Sequence, residues 1–289
     1  MPMSSNTELE KFFEDGFERK LFQACLANLN ARGNPLRFNN FAYSIRELIR
    51  HTLARLAPTG NVENCGWYEN STGEKGKISR GERITYAVQG GLQDEFVENS
   101  LDLDVADLRK RLVASIDGLS KFTHVGEDTF GISDDDCDRR AEVVLTALEE
   151  FRRLVVSCRS AVVEAIRGQL EESVIEEVLS DSIDSIDELA THHSVEGVDI
   201  DDLFVTGIDD VFIYVHAVGF IDVGLQWGSN SDIRNDIGAE GDDSFPIEVD
   251  LTVDLNDLTK ISLVESTVRV DTSRWYGDDE DLDGEEAKE

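Results

Sequence analysis

The sequence predicts an α+β protein. An all-α helical domain over residues 1–190 is followed by a small, mostly antiparallel β domain over 196–276 and an acidic disordered tail over 277–289. Three observations carry this. Apolar residues recur at 3, 4 and 7 spacing through the first two thirds of the chain, which is the period of a helix with one buried face. Beyond the stretch 180–196 the period drops to 2, as in a half-buried strand. After Tyr276 the chain reads GDDEDLDGEEAKE, too charged and too poor in apolar residues to offset the entropy of folding.

The helices follow in order. Residues 7–30 read as one helix, with Thr7 and Glu10 as a capping box and Phe12, Phe13, Phe17, Leu21, Phe22, Cys25 and Leu26 on its buried side. ARGNP breaks it. Residues 41–53, FAYSIRELIRHTL, form the clearest amphipathic helix, with Ile45, Leu48, Ile49, Thr52, Leu53 and Leu56 as its stripe and Arg46, Arg50 and His51 off it. Pro58 and Gly60 end it. Trp67 and Tyr68 anchor the polar connection 59–78, because twenty structureless residues are unusual inside a domain. Ser79 and Glu82 form a second capping box and open a helix to about Asn99, with a kink or a close helix approach at Gly90–Gly91. Asp104 caps a helix running to about Phe122. Residues 134–180 are helical in two pieces, broken near Gly168.

Residues 180–196 read as a linker or a short helix. Strands are expected near 203–206, 211–218, 220–226, 245–253 and 263–270, with a hairpin bend at 217–219.

Composition bounds the function. The net charge is −34, a field that repels nucleic acid at long range. The charge is unevenly spread. Residues 196–289 hold 26 acids against 5 bases, whereas residues 31–83 hold 9 bases against 5 acids. Any phosphate-binding surface is therefore expected within 31–83, where Arg50, Lys75, Lys77, Arg80 and Arg83 would contact nucleic acid. A salt-adapted proteome would also account for the bulk acidity. No apolar run is long enough to span a membrane, and the polar N-terminus carries no leader pattern. The four cysteines have no C-x-x-C spacing, which fits reduced thiols. A soluble cytoplasmic protein is expected.

Three groups of residues could carry chemistry. Arg46 and His51 stand in an R-x4-H spacing. An imidazole can move the 2′-hydroxyl proton of RNA without a metal, and a guanidinium can hold the phosphate and its developing charge. A solvated helix face with an incidental histidine is the alternative. His124, at a helix end, is a second acid–base candidate, or else a residue that caps the helix. Asp232, Asp236 and Glu240, in the loop 228–244, could hold Mg²⁺ or Ca²⁺. That loop could equally be a turn rich in Asn and Gly. Phosphate-binding G-x4-G-K-S/T, dinucleotide G-x-G-x-x-G and G-x-S-x-G signatures are absent, and no motif surrounds a cysteine nucleophile.

The R-x4-H spacing is similar to the R-x4-6-H motif of HEPN ribonucleases, which implies activity in a homodimer. This sequence has Glu47 after the Arg, where that family often has Asn, Asp or His. Two longer blocks point elsewhere. FAYSIRELIRHTL, KGKISRGERITYAVQGGLQDEFV and DGLSKFTHV form one; VGLQWGSNSDIRNDIGAEGDDSFP with VDTSRWY forms the other. Together, over about residues 40–130 and 196–276, they resemble the predicted PIWI-associating nucleases of bacterial conflict systems. The resemblance implies defence against phage or plasmid, with other defence-system proteins as partners and RNA or DNA as substrate. It supplies no catalytic set. A non-catalytic subunit that binds a partner or mimics nucleic acid is the rival expectation, favoured by the −21 balance (5 bases minus 26 acids) of the last 94 residues.

Overall fold

A computed structural model describes residues 3–180, 184–264 and 268–276. The expected tail, 277–289, lies outside these residues. The chain divides into two compact units. The first is Met1–Ala165 with Ile208–Val211; the second is Ile166–Gly207 with the chain from Phe212 onward. The division falls inside a helix, not in the linker near residue 190.

The first unit is helical. Its elements are α1 (Met3–Phe12), α2 (Phe17–Asn30), α3 (Arg37–Leu56), α4 (Thr59–Asn64), α5 (Arg80–Gln89), α6 (Asp94–Asn99) and α7 (Val105–Leu119), then a 3-10 turn (Ser120–Thr123). Helix α8 (Asp134–Ser180) follows. The stripe of α3 is buried at Ile45, Leu48, Ile49, Thr52 and Leu53. There Leu9, Leu112, Leu148 and Phe151 of the neighbouring helices, with Phe13 just after α1, converge on Ile49 and Leu53. The α5 capping box forms, with the Ser79 hydroxyl accepting from the Glu82 amide. Asp104 caps α7 by accepting from the Asp107 amide. Trp67 and Tyr68 do anchor their connection, packing with Ile78 against Ala57, Val62, Cys65 and Tyr86.

Several helical expectations are corrected. Residues 7–30 are two helices, because Gly16 takes a φ of 92°, which ordinary residues avoid. Helix α1 starts at Met3, so Thr7 lies within it and is not its cap. The break also turns Phe17 outward, to 60% exposure, and buries Glu18 beside Arg55, whose guanidinium donates to it at 2.8 and 3.0 Å. Helix α8 runs through Gly168 unbroken. Its buried residues continue at Val162, Ile166, Leu170 and Val174, and that packing offsets the roughly 1 kcal/mol a helical glycine costs. At Gly90, φ is 58° and α5 ends. A Cβ there would stand 2.6 Å from the Ile208 carbonyl oxygen, so the glycine is required by close approach and not by a kink.

The second unit contains the end of α8, a short helix α9 (Asp184–Asp187) and an antiparallel sheet. Its strands are β1 (His192–Ile208), β2 (Phe212–Trp227), β3 (Ala239–Asp254), β4 (Asp257–Leu263) and β5 (Arg269–Val270). The order is β1-β2-β3-β4, with β5 beside β3. A second short helix, α10 (Asn230–Arg234), lies between β2 and β3. The expected hairpin at 217–219 is one continuous strand. Ile213, Val215, Ala217, Ile221, Val223 and Leu225 all point inward without interruption. Gly219 is not a turn residue: a Cβ there would collide with the Asp199 carbonyl oxygen of β1, so the strand needs glycine for close approach. Opposite β2, Phe245, Ile247, Val249, Leu251 and Val253 of β3 are also buried. With Ile166, Leu170, Val174, Val178, Ile186 and Leu189, they make the apolar interior of this unit.

Candidate active site

The site begins with helix geometry. Five residues advance a helix by about 7.5 Å and place the two ends about 140° apart around the axis. Arg46 and His51 therefore serve different flanks of α3. The His51 ring packs edge-on against Phe17 of α2, at 5.0 Å between centroids, and its Nε2 lies 2.9 Å from the Arg50 guanidinium. Arg46 instead reaches the 3-10 turn after α7, donating to the Thr123 hydroxyl at 3.3 Å. The next residue is His124.

This corner is built by residues seven apart on α3, which share a face. The Asn39 side-chain amide donates to the Phe122 carbonyl at 2.9 Å. Its own carbonyl oxygen, also buried, has no partner among the described residues. Phe38 meets Phe122 edge-on at 4.8 Å, and the Arg140 guanidinium sits 5.0 Å from the centre of the same ring, a favourable cation–π position. The His124 carbonyl accepts the Thr129 hydroxyl at 3.0 Å, which fixes the backbone and leaves the exposed imidazole facing solvent. Lys121 pairs with Asp128 at 2.7 Å. Among the described residues no carboxylate pairs with Arg46. Sequence spacing paired Arg46 with His51; the fold brings it to the turn that carries His124.

The bases expected to bind nucleic acid are mostly engaged. Arg50 pairs with Glu47 at 2.9 Å and Lys77 with Glu74 at 2.7 Å. Arg80 pairs with Asp117. Arg83 donates to the Ala57 carbonyl and, at 3.0 Å, to the Thr59 hydroxyl. Lys75 is exposed, with no acid partner among the described residues. The rest of the basic segment behaves alike. Arg37 is buried and reaches Asp134 and Asp138, Arg32 reaches the same two acids, and Arg55 reaches Glu14 and Glu18.

Nor does the fold gather the acidic loop into a cation site. Both Asp232 side-chain contacts are local: one oxygen accepts from the Ser229 amide at 2.8 Å and from its hydroxyl at 2.7 Å, which caps α10. Asp236 is exposed, at a φ of 56°. Glu240 lines a separate groove of about 470 Å³ with His192, Glu196 and Asp242. Among the described residues no three His, Cys, Asp or Glu side chains come together as a metal-binding group. The thiols are all buried and free. Burial pushes Cys25 and Cys158 up to about 11 and Cys65 up to about 12, so thiolate chemistry is disfavoured there.

Sequence reasoning missed one polar cluster. In the β2–β3 register His216 faces Asp250, with Nδ1 and Oδ1 2.8 Å apart. Arg269 of β5 donates to the other Asp250 oxygen at 3.2 Å and forks onto Glu248 at 3.1 and 3.2 Å. Burial raises the Asp250 carboxyl, but the His216 and Arg269 hydrogen bonds outweigh it and hold the group below its usual range. The period-2 pattern puts all four residues on one face; only the register brings them together.

Comparison with known proteins defines the class. Two family models, both described as predicted pPIWI-associating nucleases, match residues 9–148 and 155–276. The chain belongs to this family. No curated protein and no solved structure matches it. Among the described residues no helix is long and apolar enough to cross a membrane.

Proposed function

We propose that this protein cleaves phosphodiester bonds of RNA or DNA, in the cytoplasm, as part of prokaryotic defence against phage or plasmid. Arg46 holds the scissile phosphate. On RNA, His124 takes the proton of the 2′-hydroxyl as that oxygen bonds to phosphorus; the P–O5′ bond breaks, and the 5′-oxygen leaves with a proton from the imidazolium or from water. On DNA the attacking group is a water that gives its proton to His124. Neither path needs a metal. One observation carries this assignment: the Arg46 guanidinium, without a carboxylate partner among the described residues, donates to Thr123, and the residue that follows, His124, is exposed. The membership in a family of predicted nucleases supports phosphodiester cleavage as the reaction class and assigns no residue. His51, held between Phe17 and Arg50, orients Arg50 at the edge of the site and takes no proton. Lys75 extends the phosphate track. Activity in a homodimer would place two such corners on one substrate.

The test is cleavage of labelled single- and double-stranded RNA and DNA by the purified chain, with Mg²⁺ and with EDTA. Cleavage persisting in EDTA and falling about a hundredfold in His124→Ala supports the mechanism. Cleavage abolished by EDTA would move the chemistry away from Arg46 and His124, towards a cation-dependent centre elsewhere.

A second reading is favoured by the neutralised bases of residues 31–83 and the acids of the sheet unit. In it the chain is a non-catalytic subunit that binds a partner protein or mimics nucleic acid. Absence of cleavage in every condition, together with stable capture of a defence protein, would favour that reading.

A further inference from the structure

The outward positions of a sheet that faces water are ordinarily polar. Here they carry large aromatics. Phe204 is 49% exposed, Phe212 36%, Tyr214 37% and Phe220 39%. Phe212, Tyr214 and Phe220 share one face of β2, because the residues between them point inward. The Thr206 hydroxyl donates to the Tyr214 carbonyl at 3.3 Å. That places the outward side of β1, with Phe204 two residues along, beside the same aromatics. An aromatic patch with a polar rim is the composition of an interaction surface.

The rim identifies the partner's charge. Asp222 is outward on β2, Asp254 lies opposite Phe212, and Glu196 approaches Gly224. Among the described residues none of these three has a basic partner. Such a rim repels the phosphates of a nucleic acid and attracts a cation. The face already grips one guanidinium, since Arg269 forks across Glu248 and Asp250. A guanidinium stacks on aromatic rings and pairs with carboxylates through two N–H groups, whereas an ammonium does neither as well.

We propose that this face docks an arginine-rich segment of a partner protein. Arginines of the segment stack on Phe220 and on the Phe212–Tyr214 pair, whose rings meet at 6.4 Å between centroids, and pair with Asp222 and Asp254. From Tyr214 to Asp222 is about 27 Å along the strand at about 3.4 Å per residue, so an extended segment of about eight residues covers it. The inference stands apart from the catalytic reading above and survives if that reading fails.

The experiment is fluorescence anisotropy of the full chain with three labelled probes: a short arginine–glycine peptide, its lysine counterpart and a single-stranded RNA. The arginine peptide should bind more tightly than the lysine peptide. Phe220→Ser, which leaves the net charge unchanged, should weaken it about tenfold. Asp222→Asn should weaken it similarly, and reads the same surface if Phe220→Ser does not fold. Tyr43→Ala, which removes an exposed aromatic of α3, should leave binding unchanged. Equal affinity for both peptides would overturn the proposal. So would equal losses in Phe220→Ser and Tyr43→Ala, RNA binding that depends on Phe220, or self-association of the chain through Phe220.

Discussion

The two units treat charge in opposite ways. In the helical unit, the arginines concentrated within residues 31–83 meet acids from distant parts of the sequence. Arg37 and Arg32 meet Asp134 and Asp138, Arg55 meets Glu18, and Arg80 meets Asp117. In the sheet unit, Asp222, Asp254 and Glu196 meet no base among the described residues. The first unit engages most of the arginines of this segment in ion pairs, several of them between helices. The second pairs some acids, as Arg269 does with Glu248 and Asp250, and leaves these three at least partly open to solvent. A basic segment in a sequence is therefore no guarantee of a basic surface. Among the described residues, Arg46, Lys75 and Arg83 of this segment meet no carboxylate; Arg83 is held by the Ala57 carbonyl and the Thr59 hydroxyl, so Arg46 and Lys75 say more about function than the local excess does.

Arg37 gives the largest break in this contrast. It is buried and spans two aspartates and the Leu29 carbonyl. Arg37→Met leaves these acceptors without their donor and should cost about 3 kcal/mol of stability, read as a shift in the urea midpoint. Arg80→Ala removes an exposed pair and should change stability by about 0.5 kcal/mol or less. Similar losses in both would mean that burial does not separate structural from surface charge here.

A pH titration of stability sharpens the comparison. At Glu18, burial raises the carboxyl, but hydrogen bonds from Arg55 and the Glu14 amide outweigh it and hold the group below 4.5. At Glu149, the Arg152 hydrogen bond lowers the carboxyl against burial. A carboxylate lowered on folding contributes stability that is fully present above its unfolded value and lost as pH falls through its folded one. The helical unit should thus hold its stability down to about pH 4.5 and lose it below. Glu18→Gln should flatten that loss. A wild-type decline already complete by about pH 6 would contradict the assignment.

Much of the fold was legible in short-range pattern. The α3 stripe, the Ser79–Glu82 box, the Asp104 cap and the change of period all depend on residues a few positions apart. What escaped depends on long-range approach. Gly219 reads as a turn but is a glycine under the Asp199 carbonyl. Gly168 reads as a break, yet the packing of α8 carries the helix through it. The site was half legible for the same reason. Arg46 and His124 were each visible as chemistry. The contact that brings Arg46 to the turn carrying His124 is with Thr123, 77 positions away, and His216 and Asp250 are 34 apart.

The most direct measurement compares two histidines in one assay: initial rates of RNA and DNA cleavage in EDTA for the wild type, His124→Ala and His51→Ala, each checked for folding by circular dichroism. The account predicts a loss of about a hundredfold in His124→Ala and at most a few-fold in His51→Ala. Full activity in His124→Ala, or a collapse confined to His51→Ala, would contradict it and return the proton transfer to the R-x4-H spacing or to another part of the chain.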